Sequence, residues 1–136
     1  ICRVARLGIA DRFHFTGFLR GEDVHKMFQL SDVYVMPSVS EPFGISPLEA
    51  MRSNVPVIIS KQSGVAEVLD YAVKVDYWDV DALADAIFAL IEYPALGKMF
   101  ASKGLEEVTN LKWNDAAAKI KTVYETAIEE NQKKTK

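Results

Sequence analysis

Short runs of β-branched and aromatic residues alternate along this chain with segments of helical spacing, and that alternation limits the fold more than any other feature. Val33 to Met36 is an apolar run of β-formers, Val57 to Ser60 reads as a buried strand, and Ala72-Val73-Lys74-Val75 as a third. Phe13 to Thr16, ending at Gly17, reads as another, which predicts about four strands. Between them lie helix signals. Glu22 to Leu30 is acidic at its start and gathers Val24, Met27, Phe28 and Leu30 on one side. Pro47 to Ser53 and Val65 to Leu69 read as short helices, and Asp81 to Glu92 places Leu83, Ile87, Leu90 and Ile91 on one stripe. Pro94 opens a further helix, and a last one from about Asn114 aligns Ala117, Ile120, Tyr124 and Ile128, with Trp113 at its entry. Strands alternating with helices through short loops predict an α/β domain: a parallel sheet flanked by helices over residues 1–130. Residues 131–136 read as a disordered polar tail.

Bulk properties narrow the function. A length of 136 residues suits one domain with a real core. A net charge of −3 argues against general affinity for nucleic acid, which needs a clustered basic face. The longest strongly apolar stretch is Val55 to Ile59, interrupted by Pro56. That is far below the ~20 residues a membrane-spanning helix needs. The single Cys2 fits a reducing compartment, so a cytoplasmic location is expected. The chain opens on Ile1 within helix-like spacing, which reads as a piece of a longer protein.

Chemistry concentrates in Glu41-Pro42-Phe43-Gly44-Ile45-Ser46-Pro47-Leu48-Glu49, between the first clear strand and a helix. A glycine-containing turn leading to a helix N-terminus is a physical solution for holding phosphate, because free N–H groups and the helix dipole converge there. A carboxylate on each side suits hydroxyls rather than phosphate. Each residue has a plainer alternative. Ser46-Pro47-Leu48-Glu49 is also a capping-box sequence, with Ser46 as N-cap and Glu49 three residues on. Glu41 could be a solvated loop acid, Phe43 a core plug and Gly44 an ordinary loop glycine. His14 and His25 have no partner at ligand or triad spacing, and no paired-Cys or HExxH metal pattern occurs. The four aspartates between Asp76 and Asp85 lack the glycine and glutamate of a calcium loop.

This nine-residue stretch resembles the E-x7-E region, with its inner E-x-F-G, of retaining glycosyltransferases of the GT-B fold, family 4. Leu7 to Gly17, Asn54 to Ser60, Ser63 to Leu69 and Asp79 to Ala84 extend the resemblance over most of residues 1–128. It implies the C-terminal, donor-binding half of such an enzyme, with the family's first βαβ unit absent upstream of Ile1. It implies a nucleotide-diphosphate sugar as donor, a hydroxyl acceptor held by the missing N-terminal domain, and a place in glycan biosynthesis. Glu41 would contact the donor sugar near the reacting carbon and is the catalytic candidate. The backbone of Phe43, Gly44 and Ile45 would meet the sugar, the Leu48 amide the phosphates, and Glu49 the ribose hydroxyls. Gly17, Phe18 and Leu19 would lie against the nucleobase. No metal or other cofactor is implied, and the leaving phosphate would help deprotonate the acceptor on the same face.

Two departures from the family pattern stand out. Asp70 to Trp78 is compact and lacks the family's glycines, and the Arg/Lys pair that neutralises the diphosphate belongs to the missing segment. The piece alone is therefore expected to be inactive. With its opening strands gone it should dimerise or be poorly stable, and contact of the parent protein with a membrane surface is compatible with the absence of a spanning segment in this sequence. The competing readings are a non-catalytic nucleotide- or glycan-binding module of the same fold and a sugar-nucleotide epimerase.

Overall fold

The computed structural model describes residues 2–134. Its elements follow one another as α1 (Cys2–Arg6), α2 (Glu22–Gln29), β1 (Tyr34–Met36), α3 (Ser46–Arg52), β2 (Val57–Ser60), β3 (Val73–Val75), α4 (Val80–Glu92), α5 (Pro94–Asn110) and α6 (Trp113–Lys134). Single 3-10 turns form at Ala10–Arg12 and Gly64–Glu67. The three strands make one parallel sheet in the order β1-β2-β3. Val35 stands opposite Ile58, and Ile59 opposite Lys74.

β2 is the middle strand, and all four of its residues are buried. That is the signature of a parallel strand covered on both faces. Its side chains alternate accordingly. Val57 and Ile59 join Met36, Ala50, Met51, Leu69 and Val108 on one face. Ile58 points the other way, to Val75 and Leu90, with Leu83 and Ile87 of α4 against them. α4 begins where the Asp79 carboxylate accepts the Ala82 amide at 3.0 Å, a side-chain N-cap. α5 reaches both faces. Its Glu107 carboxylate accepts two consecutive amides, from Asp70 (2.7 Å) and Tyr71 (3.0 Å), and so ties the segment before β3 to the helix. Gly97 and Gly104 let α5 lie close. A Cβ at Gly97 would stand 2.6 Å from the Leu90 carbonyl oxygen, and one at Gly104 would stand 2.7 Å from Cε of Met51.

The sequence reading needs correction in several places. Phe13 to Thr16 forms no strand, and Phe13 and Phe15 are exposed. A strand is defined by its partner, and no described strand lies beside this segment. The sheet accordingly has three strands among the described residues, not four. Leu30 and Ile91, read as part of the apolar sides of their helices, are exposed. α6 is formed, but every described side chain from Trp113 to Lys133 is exposed, its apolar stripe included. It also runs to Lys134, through part of the expected tail. Asn131-Gln132-Lys133-Lys134 contains no helix breaker, so nothing local stops propagation. The rest of that tail, 135–136, lies outside the described residues.

Candidate functional site

The site grows from the C-terminal ends of β1 and β2, where the chain leaves a parallel sheet. Ligands collect at such ends in open α/β folds. After Met36 the chain runs through Pro37 and Ser38 to Glu41, and after Ser60 through Lys61 and Gln62 to Ser63. These two loops continue the pairing of the strands below them. Glu41 bridges Ser63 in parallel, the Gly64 amide donates to the Glu41 carbonyl at 2.9 Å, and the Val65 amide donates to the Phe43 carbonyl at 2.8 Å. Beneath this, the buried Ser60 hydroxyl donates to the Ser38 carbonyl at 2.6 Å, and the buried Ser63 hydroxyl to the Ser60 carbonyl at 2.8 Å. Both buried hydroxyls are thus satisfied, as burial requires. Gly64 makes the close approach possible. A Cβ there would stand 2.0 Å from the Pro42 carbonyl oxygen.

With the Glu41 and Phe43 carbonyls engaged, the 41–44 loop turns sharply at Gly44, where φ is +91°. A Cβ at this position would also stand 3.0 Å from Cε of Met36 and 3.1 Å from Cγ of Glu41. Glycine is needed here for its conformation and for the space it leaves. The Glu41 carboxylate has no hydrogen-bond or ion-pair partner among the described residues, and the side chain is half-buried. Phe43 and Ile45 are exposed rather than plugged into the core.

α3 begins at Ser46, and its start differs from the expected capping box. Ile45 occupies the N-cap position with no side-chain bond. The Ser46 hydroxyl instead accepts a hydrogen bond from the Tyr34 hydroxyl at 2.8 Å and donates to the Met36 sulfur at 3.8 Å. Glu49, exposed, does not reach back to the helix start, and its carboxylate has no partner among the described residues. The reason is spatial: Tyr34 on β1 competes for Ser46 from beneath and draws the hydroxyl away from the helix amides. The Leu48 amide donates to the Ile45 carbonyl at 2.9 Å, so it is engaged within the chain.

The other predicted loop stands apart. Gly17 has φ +68°, Phe18 is strongly exposed, and the Arg20 guanidinium lies 4.9 Å from the Phe18 ring centre. No hydrogen bond, ion pair or ring contact joins Gly17, Phe18 or Leu19 to the 41–49 segment among the described residues. On the far side, Asp76 at the end of β3 accepts from Lys61 (2.8 Å) and Gln62 (2.9 Å). These bonds hold its carboxyl below the ordinary carboxylate value, the Lys61 hydrogen bond contributing most. Among the described residues no cluster of three His, Cys, Asp or Glu side chains is placed to hold a metal ion. No helix among them is long and apolar enough to cross a membrane.

Sequence reasoning passed over Tyr34, Ser60 and Gly64 as functional supports. Ser60 did carry a signal. A hydroxyl ending an all-apolar buried strand must find a partner, and its partner is the loop that carries Glu41.

Comparisons with known proteins place the chain in a family. Residues 1–107 match the family model described as Glycosyl transferases group 1. An uncharacterised glycosyltransferase of Methanocaldococcus jannaschii is 30% identical over 129 residues, covering 91% of this chain and 33% of that protein. The crystal structure of the C-terminal domain of a group 1 family glycosyl transferase from Francisella tularensis superposes with a TM-score of 0.73 at 27% identity, over 79% of this chain and 57% of that one. Anabaena HepE, solved in complex with UDP-glucose, gives a TM-score of 0.74 at 26% identity, over 79% of this chain and 30% of that one. The chain thus spans about a third of the length of the curated relative it matches. It belongs to the group 1 glycosyltransferase family and has the fold of the C-terminal, Rossmann-like half of its GT-B members.

Proposed function

We propose that this chain binds the nucleotide-diphosphate-sugar donor of a longer, retaining hexosyltransferase, with Glu41 and Glu49 as its two hydroxyl-binding carboxylates. One observation carries the reading. Neither carboxylate has a partner among the described residues, although they flank a left-handed turn at Gly44 that is held in place through the Glu41 and Phe43 carbonyls. An unpaired carboxylate has two acceptor oxygens, which suit a vicinal diol, and charge-assisted bonds are the strong kind. In this reading Glu49 takes the ribose hydroxyls and Glu41 the sugar, near the carbon that is transferred. The backbone of Phe43, Gly44 and Ile45 lies along the sugar, and the loop of Gly17, Phe18 and Leu19 faces the base.

The transfer itself moves the sugar from the diphosphate to a hydroxyl acceptor held by another domain, with the anomeric configuration kept and no metal on the phosphates. Donors fixed around the diphosphate would stabilise the charge that develops there as the glycosidic bond breaks. Calorimetric titration of the chain with UDP and UDP-glucose tests the binding step. Binding of either supports the reading, and the absence of binding by these and by the corresponding GDP and ADP compounds would overturn it. Product analysis with the longer enzyme, with and without a sugar acceptor, separates transfer from epimerisation.

A further inference from the structure

We infer that Tyr34 is a positioning residue for the 41–49 loop: its hydroxyl, acting through Ser46, sets the turn at Gly44 from which Glu41 and the amides of residues 43–45 project. The significance for donor binding rests on the reading proposed above, whereas the setting of the loop does not.

Three observations converge on this. First, the Tyr34 hydroxyl leaves its own strand and donates at 2.8 Å to Ser46, twelve residues later and the first residue of α3. The helix start is therefore pinned by a side chain of the sheet, where a local cap would ordinarily do the work. Second, the chain of contacts continues. Ser46 donates to the Met36 sulfur at 3.8 Å, and the methyl on that sulfur lies against the open face of Gly44. Tyr34, Ser46 and Met36 thus form one underlay beneath the turn. Third, Tyr34 is itself held. Its ring meets Phe28 of α2 edge-on, with centroids 5.5 Å apart and planes at 76°, and its amide donates to the Pro56 carbonyl at 3.0 Å. A fixed ring aims its hydroxyl in one direction, so the hydrogen bond can transmit position rather than merely satisfy Ser46.

From above, the Gly64 and Val65 amides grip the carbonyls of Glu41 and Phe43. From below, the Tyr34 hydroxyl and Met36 thioether fix the other end of the same loop. Removing the upper grip frees the loop from β2, and removing the lower one frees it from β1.

The test uses Tyr34→Phe, Ser46→Ala and the double variant of this chain. Tyr34→Phe keeps the ring and its packing on Phe28 and deletes only the hydroxyl. Amide hydrogen exchange is followed by mass spectrometry, and UDP-glucose affinity is measured well below the melting temperature. Each single change is expected to speed exchange in the 44–49 segment by roughly 3- to 10-fold, with β2 and α5 unaltered, and to weaken UDP-glucose by a similar factor. The double variant should be no worse than Ser46→Ala alone, because that change already removes both the bond from Tyr34 and the one to Met36. Uniformly faster exchange with unchanged affinity, or strictly additive effects, would make Tyr34 an ordinary core residue and overturn the inference. If the unaltered chain binds neither UDP nor UDP-glucose, the donor reading fails by itself. The exchange data then decide the rest: local acceleration at 44–49 sustains the positioning role, and unchanged exchange there removes it.

Discussion

Replacing Gly64 by alanine is the sharpest single perturbation of this site, because one methyl group must do all the damage. The glycine has an ordinary backbone conformation, so no left-handed strain enters the effect. What decides it is distance. The new Cβ would begin 2.0 Å from the Pro42 carbonyl oxygen, 2.9 Å from the carbonyl carbon and 3.2 Å from Cα of Phe43. A comfortable carbon–oxygen contact is about 3.3 Å, so the two loops must part by more than about 1 Å. Such a separation cannot keep the Gly64–Glu41 bond at 2.9 Å or the Val65–Phe43 bond at 2.8 Å. Losing both, and leaving their groups imperfectly paired, costs about 2–4 kcal/mol. For a domain of this size that lowers Tm by roughly 6–12 °C. In the proposed reading the Glu41 carboxylate and the backbone of residues 43–45 move with the loop, so donor affinity should fall in the same variant. Gly17→Ala is the control. Its φ of +68° is unfavourable to alanine, but no atom lies within 4 Å of the added Cβ. It should cost only about 1 kcal/mol, from conformation alone. Circular-dichroism melting beside calorimetric titration reads both quantities. A Gly64→Ala melting curve no lower than that of Gly17→Ala would refute the steric argument, and with it the zipped geometry of the two loops.

Other outcomes follow from the same geometry. Glu49→Gln should melt near normally, since the residue makes no capping bond, and should lose roughly 10- to 150-fold in nucleotide-diphosphate affinity by titration calorimetry; a lowered Tm with intact affinity would reverse that assignment. Glu41→Gln in the longer enzyme should depress turnover far more than nucleotide affinity, because its contacts matter most as the glycosidic bond breaks; a tenfold loss of nucleotide binding with normal turnover would contradict it. Asp76 has a folded-state pKa below its usual 3.8, so the stability it contributes is present above that value and is lost as the pH falls further. A melting series taken down through pH 4 should therefore steepen in the native chain and be flatter in Asp76→Asn. Finally, β1 is an edge strand among the described residues, and α6 exposes its apolar stripe. Sedimentation should show concentration-dependent self-association, and a monomer at all concentrations would count against it.

What could be read from the sequence was whatever depends on neighbours in the chain. The β-branched runs of β1, β2 and β3 carry their own periodicity, and the apolar stripe with Leu83, Ile87 and Leu90 lies within the single helix α4. What could not be read was settled by residues distant in sequence. Phe13 to Thr16 has the composition of a strand, yet strand formation is a property of a pair. Ser46-Pro47-Leu48-Glu49 spells a cap, yet Tyr34 takes the serine from another element. Glu41 and Glu49 could be picked out as candidates because their spacing is local. Their support was not, since Ser60, Ser63 and Gly64 meet the loop only once β1 and β2 are side by side.

The glycines of α5 have a consequence for how this domain can move. Gly97 faces the Leu90 carbonyl, a backbone atom that cannot give way, whereas Gly104 faces the flexible end of the Met51 side chain, which can. Sliding α5 by one helical turn would bring Ala101 or Tyr93 to the first spot and Val108 or Phe100 to the second. Either residue at the first spot would set a Cβ against the Leu90 carbonyl, so Gly97 keys α5 to one position on α4. Sliding of α5 along α4 is thereby opposed, and closure around a ligand falls more readily to the loops or to the domain moving as a rigid body.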